Sequence, residues 1–194
     1  MIHMSALDPA AIEPESIRRL RRSEYHQLWR AGLFEHERVE LLFGQLVAMS
    51  PPDPSHDESV ETIDDLLDGQ LAGRARVRVQ CSFAASDESE PIPDVVVVPA
   101  QRYWTEHPDR AYLVVEVART SLRKDRGAKA QLYGGVAVEE YWIVDVDGGC
   151  VHVLREPDGA GAWGSHRVAR RGDVLTIAAF PDVTIAVEQI LPPG

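Results

Sequence analysis

Two stretches of the chain hold acidic side chains where an apolar run would otherwise stand alone. Asp94 follows Pro93 and opens the run Val95 to Val98, and Glu116 interrupts Leu113 to Val117. An ionised carboxylate beside a core is costly unless a cation or a donor network neutralises it. Neighbouring strands could bring these two groups together at a sheet edge, and a pair of hard oxygen ligands suits Mg²⁺, or Mn²⁺ in its place. Each acid also has a plainer reading: Glu116 paired with an arginine such as Arg119, and Asp94 capping the turn after Pro93. Lys129 lies on the segment after the Glu116 run and could supply positive charge to a reacting phosphate. It stands four residues beyond Asp125, which equally suits a surface ion pair worth about 0.3–0.5 kcal/mol.

The elements that must position these groups follow from periodicity. Ser23 is a plausible cap for a short helix through Arg30, with Tyr25, Leu28 and Trp29 on one face. Val39 to Met49 reads as a hairpin turning at Phe43-Gly44. From His56 to Leu71, Val60, Ile63, Leu66, Leu67 and Leu71 recur at helical steps above an acidic outer face, and Gly73 ends the pattern. Strands are expected at Ala75 to Ala84, Asp94 to Val98 and Tyr112 to Val117, and the last two are continuous apolar runs typical of a sheet covered on both faces. A helix from Ser121 to Tyr133, stopped by Gly134-Gly135, then leads to a buried strand at Tyr141 to Val146. That crossover makes the two flanking strands parallel. Short alternating strands at 151–154, 166–169, 174–177 and 183–187 form a β-rich tail on the same core.

The combination Pro-Asp, then Glu-x-x, then a lysine resembles the PD-(D/E)XK nuclease superfamily and, within it, the bacterial branch of Uma-type endonucleases. The resemblance runs from about Ser23 to the C-terminus. It is carried by Arg38-Val-Glu-Leu-Leu-Phe-Gly-Gln-Leu, Met49-Ser-Pro-Pro with His56, Ile92-Pro-Asp-Val-Val-Val-Val, Leu113-Val-Val-Glu-Val, Asp125 with Lys129 and Tyr133, and Gly135-Val to Asp145. It implies an α/β, restriction-endonuclease-like fold, a mixed central sheet flanked by helices. It also implies Asp94 and Glu116 as metal ligands, Glu40 as a further ligand or water orienter, and Lys129 as the catalytic lysine. His56 would orient a water or phosphate, or act as a cap or partner behind the ligands, while Tyr133 is as well suited to core packing. Ala118 stands where the superfamily places its lysine, so Lys129 has to substitute from the helix. Arg119-Thr-Ser and Phe43-Gly44 depart from the branch pattern elsewhere.

The bulk composition sets bounds on this reading. The chain has 194 residues, 44% of them hydrophobic, which suffices for one domain from residue 17 to 194 behind a frayed leader at 1–16. Cys81 and Cys150 sit in apolar or alternating runs and read as buried reduced thiols rather than a disulfide framework or a zinc site. No stretch approaches the ~18 apolar residues of a membrane helix, and no basic-then-apolar leader is present, so a cytoplasmic protein is expected. The net charge of −11 has the wrong sign for a partner bound through many phosphate contacts. Local clustering of Arg119, Arg123, Lys124, Arg126 and Lys129 answers part of that objection; the Arg74, Arg76 and Arg78 group reads equally as a solvated face. The resulting expectation is a Mg²⁺-dependent endonuclease acting on nucleic acid, DNA in the first instance, as a homodimer able to cut both strands. Two alternatives stay open: a nuclease-like binding module without catalysis, and a hydrolase of smaller phosphate esters.

Overall fold

The computed structural model describes residues 17–51 and 53–193, so the expected leader at 1–16 lies outside the described residues. The first helix, α1 (Arg22–Arg30), starts one residue before the expected cap. The Arg21 backbone N–H donates to Glu24 Oε2 at 3.0 Å, so Glu24 rather than Ser23 satisfies the helix entry. The hairpin forms as anticipated. Strands β1 (Val39–Leu42) and β2 (Gln45–Ala48) pair antiparallel around Phe43 (φ +50°) and Gly44 (φ +75°), the two positive φ values that a tight two-residue turn requires. A side chain at Gly44 would meet Arg19 Cβ at 2.4 Å. All of β1 is buried, while β2 lies largely exposed above it.

Helix α2 (Pro54–Leu71) begins two residues earlier than its apolar period suggests. Asp53 caps it by accepting from the backbone of Ser55 and His56, and Pro54 fills a first-turn position where no N–H is needed. Strand β3 (Ala75–Val79) is shorter than the expected run to Ala84. Gln80 takes φ +48°, which turns the chain out of the sheet. The loop beyond returns along β1, where Leu41 bridges Glu90.

The central sheet has six strands in the order β3-β4-β5-β6-β7-β8, made by β4 (Val95–Pro99), β5 (Leu113–Ala118), β6 (Glu140–Asp145), β7 (Cys150–Pro157) and β8 (Trp163–Arg170). It is mixed: β5 and β6 run parallel, as the crossover requires, and every other pair is antiparallel. The tail divides. β7 and β8 extend this sheet, whereas β9 (Val174–Ile177) and β10 (Phe180–Ala186) form a separate hairpin leading into the short α5 (Val187–Ile190).

Side-chain alternation splits the core in two. On one face Val95, Val97, Val115, Val117, Trp142 and Val144 pack against α2 and the β9-β10 hairpin. On the other, Val96, Val98, Val114, Tyr141 and Ile143 pack against the crossover segment. That crossover is a composite: α3 (Leu122–Lys124) passes into a π-helical turn over Asp125–Lys129 and continues as α4 (Ala130–Gly134). No helix among the described residues is long and apolar enough to cross a membrane.

Candidate active site

The antiparallel pairing of β4 and β5 sets Val95 beside Val115 and Val96 beside Val114. One residue further along the same register, Asp94 lies opposite Glu116, and alternation puts both on the crossover face. Here the sheet end borders a cleft of about 260 Å³ lined by Asp94, Glu116, Asp125, Lys129, His56 and Lys124, with Arg38 and Arg119 also on its wall. Asp94, Glu116, Asp125 and Lys129 are all buried.

Each acid is held by named donors. Asp94 Oδ2 accepts from the Val117 backbone N–H at 2.8 Å, and Oδ1 lies 3.1 Å from His56 Nε2. That contact raises the His56 pKa to about 9 against the opposing effect of burial, so its imidazole is cationic at neutral pH. Glu116 Oε1 accepts from Lys129 Nζ at 2.8 Å and from the Tyr133 hydroxyl at 2.9 Å. Among the described residues Oε2 accepts no hydrogen bond. Burial drives the Glu116 carboxyl well above its usual range, Asp94, Asp125 and Glu40 reinforce the shift, and Lys129 opposes it.

Glu40 occupies a different position from the one the sequence suggests. It is fully buried on β1, behind Lys129 rather than on the cleft wall, with Oε1 2.8 Å from Lys124 Nζ and Oε2 3.1 Å from Lys129 Nζ. The Ile92 N–H adds a third bond. Burial works against its ionisation, but the two ammonium groups outweigh burial and hold its carboxyl below the usual value. Lys129 thus bridges two carboxylates, and they raise its pKa despite burial.

Asp125 and Lys129 are not a surface pair. Both point inward from the π turn, at 1% and 2% exposure, and no salt bridge joins them among the described residues. Both Asp125 carboxylate oxygens are buried without a hydrogen-bond partner. Burial raises the Asp125 pKa; nearby Lys129 and Ser121 offset part of the rise, Ser121 without meeting hydrogen-bond geometry. Tyr133 packs against Phe83 and Tyr141 and donates its hydroxyl hydrogen to Glu116 Oε1.

The cluster therefore sets four carboxylates against two lysines and one histidine. Excess negative charge, the free Glu116 Oε2 and the orphaned Asp125 oxygens are what a divalent cation would neutralise, so the donor set fits one. Lys124 was not singled out from the sequence as a site residue. Its partner Glu40 lies 84 residues away, and only its place in the basic run hinted at a role.

A profile of the family described as "Uma2: Putative restriction endonuclease" matches residues 22–188. No curated protein matches the sequence. Among solved structures, "a putative nuclease belonging to DUF820" from Anabaena variabilis ATCC 29413 aligns with a TM-score of 0.65 at 14% identity. The alignment covers 79% of this chain and 89% of that one. At that identity the likeness establishes a shared fold, a mixed α/β nuclease-like architecture.

Proposed function

The chain belongs to the Uma2 family, and on that footing we propose that it is a divalent-metal-dependent endonuclease hydrolysing phosphodiester bonds of nucleic acid, DNA in the first instance. The observation that carries this reading is the cleft wall on which Asp94, Glu116 and the unpartnered Asp125 surround a buried lysine. Asp94 and Glu116, with Asp125 beside them, would hold Mg²⁺ or Mn²⁺. Such a cation supplies Lewis-acid polarisation of the phosphate and a bound water of lowered pKa.

The chain's own residues do the rest. Lys129 keeps its proton between Glu116 and Glu40 and offers positive charge where charge develops on phosphorus oxygens. Tyr133 fixes Glu116 Oε1, leaving Oε2 for the ion, and His56 with the Val117 N–H fixes Asp94. Glu40 acts as the charge partner of two lysines rather than as a ligand. Arg38 on the cleft wall, which donates to the neutral Gln80, offers positive charge to a phosphate backbone, whereas Arg119 there is paired with Asp53 and Asp147 and Lys124 with Glu40. A second groove of about 870 Å³ shares Arg38 with the cleft and is walled by Arg22, Arg30, Tyr103, Trp29 and Trp104. Trp29 and Trp104 are 65% and 79% exposed, and aromatic faces beside basic side chains are how an unpaired strand is held. Cutting both strands of a duplex would call for two copies, one cleft per strand.

Asp94→Asn and Glu116→Gln keep the shape of each side chain and remove its charge. Both should abolish Mg²⁺-dependent nicking of plasmid DNA while retaining the folded circular dichroism spectrum. Unreduced Mg²⁺-dependent cleavage by either folded variant refutes the assignment. Metal binding by calorimetry without turnover on any DNA or RNA would instead favour a binding module, the reading to which the net charge of −11 lends itself.

A further inference from the structure

Away from the cleft, the β6-β7 hairpin gathers three groups of another chemical kind. Its register pairs Asp145 with Cys150, and His152 lies one same-face step along β7. One carboxylate oxygen of Asp145, the Cys150 Sγ and one imidazole nitrogen of His152 all lie within 4.8 Å of one another. Cys150 Sγ and Asp145 Oδ2 are each 4.0 Å from His152 Nε2. We propose that Asp145, Cys150 and His152 form a second metal site, separate from the cleft, that takes a zinc-class transition-metal ion through one carboxylate oxygen, one thiolate and one imidazole nitrogen.

The donor set argues for the ion's class. A carboxylate, a thiolate and an imidazole are the ligands of Zn²⁺, and sulfur has no place around Mg²⁺. Tetrahedral Zn²⁺ with its usual bond lengths sets ligand atoms about 3.3–3.6 Å apart, so the two 4.0 Å separations from His152 need to close by about 0.4–0.7 Å and the Asp145–Cys150 separation, within 4.8 Å, by at most about 1.3 Å. Two supports stand behind the ligands. His152 Nδ1 lies 3.1 Å from His166 Nε2. With Nδ1–H donating to His166, the lone pair of Nε2 points at Cys150 and Asp145, the arrangement that fixes a ligating histidine. Asp145 Oδ1 accepts from the Gly148 N–H at 2.8 Å, and a side chain at Gly148 would meet Oδ2 at 2.3 Å, so the glycine leaves that oxygen its place.

A second trio, His26, Glu90 and His107, is equally close-set but already neutralised. Glu90 Oε2 takes His26 Nε2 at 2.8 Å and Arg22 Nε at 3.2 Å, which occupies the imidazole and sets a guanidinium where a cation would go. No arginine forms a salt bridge with Asp145 among the described residues, and Arg126 and Arg170 stand near enough to Cys150 and His152 to favour the thiolate. Binding at the β6-β7 site releases the Cys150 thiol proton and ties both ends of the turn at 146–149 to one ion.

The test is a Co²⁺ titration of the full chain after chelator treatment, read by absorbance. A thiolate-to-cobalt charge-transfer band should grow to one equivalent, vanish on adding one equivalent of Zn²⁺, and persist in excess Mg²⁺. Cys150→Ser should abolish the band and Cys81→Ser should keep it. His166→Ala, which leaves all three ligands, should weaken Co²⁺ binding by about 10–100-fold. Glu116→Gln should leave the band unchanged, which separates this site from the cleft. Absence of the band in the unaltered chain, or its survival in folded Cys150→Ser or loss in Cys81→Ser, overturns the proposal.

Discussion

Replacing Lys129 by Met tests the electrostatic core of the site, because Met fills similar volume and removes only the charge. The ammonium is 2% exposed, 2.8 Å from Glu116 and 3.1 Å from Glu40. Its loss leaves two buried carboxylates partly uncompensated, although Glu40 keeps Lys124 and Glu116 keeps the Tyr133 hydroxyl. Breaking a buried pair from one side costs about 3–5 kcal/mol, and the remaining partners place the expectation at the lower end. For a domain of this length each kcal/mol lowers Tm by about 2–4 °C, so a fall of at least about 6 °C should appear in thermal melts at pH 7.5. The loss should also depend on pH. The Glu116 carboxyl lies above its ordinary value in the folded protein, and losing Lys129 raises it further. A carboxyl raised on folding binds more protons in the native than in the unfolded state, so its stability contribution declines as pH rises from 4.5 through the raised value. The gap between Lys129→Met and the unaltered chain should therefore be smaller at pH 5 than at pH 8. Adding Glu116→Gln to the variant should recover at least about 1 kcal/mol, since neighbouring charges couple. A variant destabilised by less than about 1 kcal/mol, or equally at both pH values, would refute the placement of Lys129 between two buried carboxylates.

Two further outcomes follow from the cleft and its neighbouring groove. Asp125→Asn removes a charge that burial disfavours, so it should raise the urea midpoint of the metal-free protein. It should also shrink the stabilisation by Mg²⁺, which at a hundredfold excess over Kd is about 2.7 kcal/mol for the unaltered chain. Trp29→Ala and Trp104→Ala, made in the cleavage-dead Glu116→Gln background, should each weaken binding of a single-stranded oligonucleotide by about 1–3 kcal/mol in fluorescence anisotropy, with Tm unchanged; wild-type affinity in both would remove the groove from the strand's path.

Much of the sheet could be read from the chain because its central strands are near-continuous apolar runs, the pattern of a sheet covered on both faces. Val95 to Val98 and Leu113 to Val117 fall where expected, and the helix between β5 and β6 dictated their parallel pairing. What stayed hidden was set by distant partners. Alternation in the tail marks one buried face per strand but not which sheet receives it, so it could not separate β7 and β8 from the β9-β10 hairpin. Gln80 at φ +48° ends β3 without the glycine or proline that would signal a turn. In the site, pairing Asp94 with Glu116 required only the alternation of two neighbouring strands. The Glu40–Lys124 and His56–Asp94 contacts join β1 to the crossover and α2 to the β4 edge, connections no local spacing encodes.

Ala118 and Lys129 show the same distinction between text and space. Position 118 is two residues beyond Glu116 and shares its face, but there the strand is buried against Ala130 and Tyr133, and Ala118 is part of that packing. A lysine there would have to bury its stem in a layer already filled. The crossover instead supplies the ammonium from the opposite layer: the π turn directs Lys129 onto Glu116 and sets Asp125 beside it, both inward where a surface pair was equally compatible with the spacing. Irregular helical turns of this kind recur at functional sites because they aim side chains that regular spacing would place elsewhere. Lys129, eleven positions beyond Ala118, thus reaches the Glu116 carboxylate from the neighbouring layer, and under the proposed function the requirement is spatial: one buried ammonium within hydrogen-bond reach of that acid.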